Sequence, residues 1–120
     1  YWRQKLNNKR MILDKEGNVT TVLQENISLN QFLSNLRDMY PKIKNDHIIV
    51  NLFSFSKLTS NDVLEFLELS DAHRKTKKSF VLVTEKVSYD EVPDSICVVP
   101  TIQEARDIIE MEEIERDLEL

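Results

Sequence analysis

The sequence predicts one α/β domain, an N-terminal hairpin followed by strands alternating with helices around a mixed, mostly parallel sheet. Three observations predict it. Short runs rich in β-branched residues, His47 to Phe53, Phe80 to Val83 and Ile96 to Val99, are apolar at successive positions. Strands covered on both faces read this way. Between them lie stretches with apolar residues at spacings of three and four, the pattern of helices with one buried face. Finally, 120 residues make one domain, large enough to bury a core without disulfides or metal.

Met11-Ile12-Leu13 and Val19-Thr20-Thr21-Val22-Leu23 flank Asp14-Lys15-Glu16-Gly17-Asn18, which reads as a hairpin turn around the chain's one glycine. Ser28 with Gln31 three residues on forms a capping box and opens a helix. Its stripe is Leu29, Phe32, Leu33, Leu36, Met39 and Tyr40, and Pro41 stops or distorts it. The central run from His47 to Phe53 follows, and Phe55 and Leu58 carry its apolar character onward. Thr59 and Asp62 make a second capping box, so a helix is expected from about Asn61 to Lys75, with Val63, Phe66, Leu67 and Ser70 on one face. Lys75, Lys77 and Lys78 crowd its end, where cations suit the helix dipole. After the Phe80 strand, residues 87 to 90 read as a loop or short helix, and Pro93 breaks the chain before Ile96. Thr101 and Glu104 cap the last helix. Val50, Leu52, Phe66, Leu82 and Val98 are the expected core.

Composition narrows the function. A net charge of -5 argues against a nucleic-acid binder, which needs a basic face. One glycine cannot build a P-loop or a dinucleotide fingerprint, since both need several for close approach to phosphate. Cys97 is the lone cysteine, so no intrachain disulfide forms, which suits a reducing cytoplasm. No apolar run is long enough to span a membrane. Residues 1 to 10 carry Arg3, Lys5, Lys9 and Arg10 and no acid; they read as a disordered basic leader or tag ahead of a domain at 11–110.

Chemistry-bearing residues do not converge. His47, His73 and Cys97 are far apart and lack metal-type spacing, so neither a metal nor a catalytic site is expected, and no cofactor. His73, near a basic helix end, reads as a surface residue, and Cys97 as a small buried hydrophobe. Asp71, Asp90, Glu91 and Asp94 read as solvated surface. If there is a site, it belongs at the carboxyl end of the central strand, where α/β sheets bind their ligands. There Thr59, Ser60 and Asn61 also have a plain reading as caps.

The element order and the stretch around residue 50 resemble the STAS domain, the fold of bacterial anti-sigma factor antagonists. In that family a strand ending Val-Asp-Leu leads through an apolar connection to an Asp-Ser-Ser-Gly-Leu helix start. Val50-Asn51-Leu52 matches the strand end, Phe55 and Leu58 the connection, and Thr59-Ser60-Asn61-Asp62-Val63 the motif. The stretch from Val98 to Ala105 is similar to the family's closing strand-to-helix segment. The resemblance implies a STAS fold and binding to another protein, such as an anti-sigma factor or kinase-like regulator. It also implies loss of the usual phosphoswitch: the phosphorylated serine falls on Asn61, which has no hydroxyl, with Ser60 the runner-up. The ending from Ile108 to Leu118 resembles small bacterial STAS-like proteins sometimes labelled ribonuclease Z. That nuclease binds zinc through His-x-His-x-Asp-His, and two histidines cannot supply it.

The resulting expectation is a non-catalytic regulatory module whose partner surface comprises Phe55, Lys57, Leu58, Thr59, Ser60, Asn61 and Asp62. The alternative is a structural adaptor that holds or stabilises an enzyme. A second stripe lies on the acidic C-terminal helix extension, residues 111–120. Ile102, Ala105, Ile108 and Ile109 fall on one side of that helix, and Met111, Ile114 and Leu118 on nearly the opposite side. A straight helix cannot bury both, so the second stripe marks a partner or homodimer surface with an acidic rim of Glu110, Glu112, Glu113, Glu115 and Asp117. The bland alternative is a helix that bends or frays near Glu110.

Overall fold

Gly17 sets the first element. Its φ of +60° supplies the left-handed residue that a two-residue hairpin turn needs. It joins β1 (Ile12–Glu16) to β2 (Val19–Leu23) with Glu16 opposite Val19. The turn is Gly17-Asn18 alone; Asp14, Lys15 and Glu16, expected in the turn, belong to the strand. A computed structural model describes residues 11–119, so the expected basic leader, residues 1 to 10, lies outside the described residues.

α1 (Leu29–Ile43) starts on Ser28, whose hydroxyl accepts the Gln31 N–H at 3.2 Å. Phe32, Leu33 and Leu36 are buried, and Leu29 and Tyr40 pack partly against the same core. Pro41 does not end this helix. It sits within the last turn, where a missing N–H costs one terminal hydrogen bond rather than a run of them.

β3 (His47–Asn51) is central, between β2 and β4 (Phe80–Val83), and β5 (Cys97–Val99) completes a five-stranded sheet in the order β1-β2-β3-β4-β5. β1 and β2 are antiparallel; β2 to β5 run parallel. Both faces are covered, as the apolar runs require. Ile48, Val50, Phe80, Leu82 and Val98 face α1 and the two helices after β3. Ile49, Val81 and Val83 face the last helix, α4 (Ile102–Leu118), through Ala105 and Ile109.

The helix expected over Asn61 to Lys75 is two helices, α2 (Ser60–Leu64) and α3 (Leu67–Arg74). At the join, Glu65 N–H donates to Asp62 O at 3.2 Å and Phe66 N–H to Val63 O at 3.0 Å, both i→i+3 bonds. The apolar spacing explains the tightening. Val63, Phe66 and Leu69 are all buried at steps of three. Such steps drift around a regular α-helix but stack in a 3₁₀ turn. The Phe66 ring then lies 6.3 Å from that of Phe32. The segment between β4 and β5 holds a single 3₁₀ turn, Tyr89–Glu91.

Candidate partner-binding surface

The parallel strands β2 to β5 end together, and the chain leaving β3 builds a surface there. Leu52 N–H still donates to Val83 O at 2.9 Å, holding this residue in line with the sheet. Asn51 Oδ1 then accepts the Phe53 N–H at 3.0 Å, an Asx-type turn that rotates the chain outward. Ser54 Oγ donates to Gln24 O at 2.8 Å and fixes the turn against the end of β2. As a result Phe53 is 48% exposed rather than part of a buried strand. Phe55 folds back, its ring 5.6 Å from Phe32.

Thr59 and Asp62 form the expected capping box, with Asp62 N–H to Thr59 Oγ1 at 3.2 Å and Thr59 N–H to Asp62 Oδ2 at 3.0 Å. Lys57, Thr59 and Asn61 are exposed, and Phe55, Ser60 and Asp62 are half-buried. Leu58 corrects the expectation: it is buried and supports this surface from beneath instead of lying on it. Two residues outside the expected set are exposed, Phe53 just after β3 and Leu64 at the end of α2. Asn51 at a strand end was the signal for Phe53. Leu64 is out of phase with Val63 and Phe66, which marks it as outward-facing.

α4 begins at this same end, where Ile102 and Arg106 share a groove with Asn51. It runs back across the sheet and finishes at the opposite end, beside His47 at the start of β3. The helix is continuous past Glu110, and Met111, Ile114 and Leu118 are exposed. Glu112 and Glu113, expected in their acidic rim, instead face the body. Glu112 accepts Ser79 Oγ–H at 2.6 Å and pairs with Arg74 at 3.2 Å. Glu113 accepts Asn18 Nδ2–H at 2.8 Å; that amide, helped by His47, holds its carboxyl below the ordinary range.

Both histidines are built into the fold. His47 Nδ1 accepts the Ser79 N–H at 2.9 Å, so the ring proton sits on Nε2 and is donated to Glu113 at 3.0 Å. His73, expected at the surface, is fully buried on the inner face of α3, one turn beyond Leu69 and Ser70. Its Nε2 donates to Asp46 O at 2.8 Å and its Nδ1 accepts from Tyr40 Oη at 2.6 Å. Burial depresses the His73 pKa, which the Asp46 carbonyl opposes only in part. Each ring thus has both nitrogens engaged. Cys97 is half-buried along a groove of about 460 Å³ beside β5, and burial pushes its thiol pKa up.

No protein-family model matches the chain, and no curated protein matches it significantly. A solved structure does: a serine-to-glutamate variant of RsbS from Moorella thermoacetica, with a TM-score of 0.62. The similarity covers 89% of this chain and 98% of that chain at 14% identity. The fold is that of a STAS domain. In this STAS fold the hairpin forms one edge of the sheet, and the Phe53-to-Leu64 surface and the last two turns of α4 occupy its two ends. Among the described residues, no helix is long and apolar enough to cross a membrane.

Proposed function

We propose that the chain is a cytoplasmic protein-binding module of the anti-sigma factor antagonist type, acting by docking rather than catalysis. The observation that carries this reading is the surface at the carboxyl end of β3. It carries two exposed apolar side chains, Phe53 ahead of the capped start of α2 and Leu64 at that short helix's end. A partner closing over them removes apolar area from water, while Lys57, Thr59 and Asn61 supply a polar rim. The likeness to RsbS supports a regulatory protein as the partner. Asn61 is exposed in the first turn of α2, where a modifying enzyme could reach it, but its amide has no hydroxyl to accept a phosphoryl group. On this reading the usual switch is lost at Asn61, and Thr59 and Ser60 are the neighbouring hydroxyls that a phosphorylation test must examine.

Affinity capture from cells of the source organism, followed by mass spectrometry, tests this. The expected result is a kinase-like or anti-sigma-type regulator retained by the native chain and lost by F53S/L64S. Equal capture by both forms would place binding elsewhere. Stoichiometric phosphate on Ser60 or Thr59 that abolishes capture would overturn the absence of a switch.

A further inference from the structure

The last two turns of α4 carry an apolar face that nothing covers among the described residues. Met111, Ile114 and Leu118 are 52%, 55% and 79% exposed. At about 100° per residue they fall within about 60° of arc. The opposite side of the same turns is pinned to the body. Glu112 binds Ser79 and Arg74, Glu113 binds His47 and Asn18, and Arg116 lies 3.7 Å from Glu112. These bonds fix the rotation of the helix, so the apolar residues cannot turn inward.

The charges around the face are also set. Glu110 and Asp117 border it on one side and Glu115 on the other, and none of the three has an ion pair or hydrogen bond among the described residues. The arginines of this helix are already engaged, Arg116 with Glu112 and Arg106 with Glu16 at 2.6 Å. Lys77 and Lys78 share a cleft with Glu110, Ile114 and Asp117 but form no ion pair with either acid among the described residues, so the three carboxylates outnumber these two ammonium groups around the face. The result is an aliphatic strip between free carboxylates. A second copy would bring the same carboxylates against these, so charge favours a basic occupant. Anchors at helical spacing favour a helical one.

We propose that the outward face of α4 at Met111, Ile114 and Leu118 binds a basic amphipathic helix of a protein partner. This face lies at the opposite end of the sheet from Phe53 and Leu64, so the two surfaces can be occupied together. It does not depend on the reading of the first surface.

The test is fluorescence anisotropy of the full chain with a labelled helical peptide carrying leucines at i, i+3 and i+7 and lysines at the flanking positions. Both M111S/I114S and E110Q/E115Q/D117N change exposed side chains, and circular dichroism checks that the fold persists. M111S/I114S should weaken binding roughly tenfold or more, as loss of central apolar anchors does. The carboxamide variant should weaken it several-fold, and raised salt should do the same to the native chain. F53S/L64S should bind the peptide as the native chain does. Equal binding of a peptide with glutamates in place of the lysines would overturn the proposal, as would unchanged binding by M111S/I114S. A dimer in light scattering that I114S disperses would assign the face to a second copy and overturn it too.

Discussion

At the scale of single residues, two buried polar groups behave differently. His73 satisfies both ring nitrogens, and burial lowers its pKa from the ordinary 6.5. A base whose folded pKa is depressed takes up more protons when unfolded. The His73 contribution is therefore fully present above pH 6.5 and lost as the pH falls below it toward the folded value. The urea midpoint should hold steady from neutral pH down to about 6.5 and then fall. In H73Q the midpoint should be lower throughout but its slope across that window shallower; an equal slope would assign the pH dependence to other groups. Ser70 is the contrasting case, since its buried Oγ has no partner among the described residues. An unsatisfied hydroxyl costs free energy, so S70A should be neutral or stabilise by up to about 1 kcal/mol in denaturant titration. A loss beyond that would reveal a partner for the hydroxyl.

At the scale of elements, the helix starts were legible because caps are local, although of the expected boxes only that of Thr59 and Asp62 is reciprocal and the Gln31 side chain turns to Asn35 instead. Ser28, Thr59 and Thr101 each start a helix as the sequence predicts. The break between α2 and α3 was not legible, because burial of Val63, Phe66 and Leu69 together is decided by the sheet beneath them. Phe66 is fully buried at that break. F66A should cost about 3–5 kcal/mol by urea titration, and a loss under about 1 kcal/mol would mean the ring is not in the core. The polar anchoring of α4 was equally hidden: a glutamate that faces Ser79 and Arg74 has the same letter as one in solvent. E112A leaves the Ser79 hydroxyl and Arg74 without their carboxylate. It should cost about 1–3 kcal/mol, and hydrogen exchange should rise across residues 110–118. Unchanged exchange there would show that the apolar contacts of Ala105 and Ile109 hold the helix by themselves.

At the scale of the molecule, the parallel sheet separates two chemistries. Its amino end gathers the polar network of Asp46, His47, His73, Ser79, Arg74, Glu112 and Glu113. Its carboxyl end gathers Phe53, Phe55 and Leu64. The architecture was readable because apolarity on both faces of β3 and β4 demands helices on both sides. The composition of the docking surface was readable only in part. Phe53 and Leu58 are both apolar in sequence, and only the Asx turn at Asn51 decides which of them points outward. Because Glu112 bonds Ser79 and Glu113 bonds His47, side-chain substitution is a cleaner probe of the end of α4 than truncation. The central claim is that a protein partner docks on the carboxyl end of β3. Hydrogen–deuterium exchange of the chain alone and with its captured partner tests this most directly. The account predicts new protection across residues 53–65. Protection absent from that stretch and confined to other segments would contradict it.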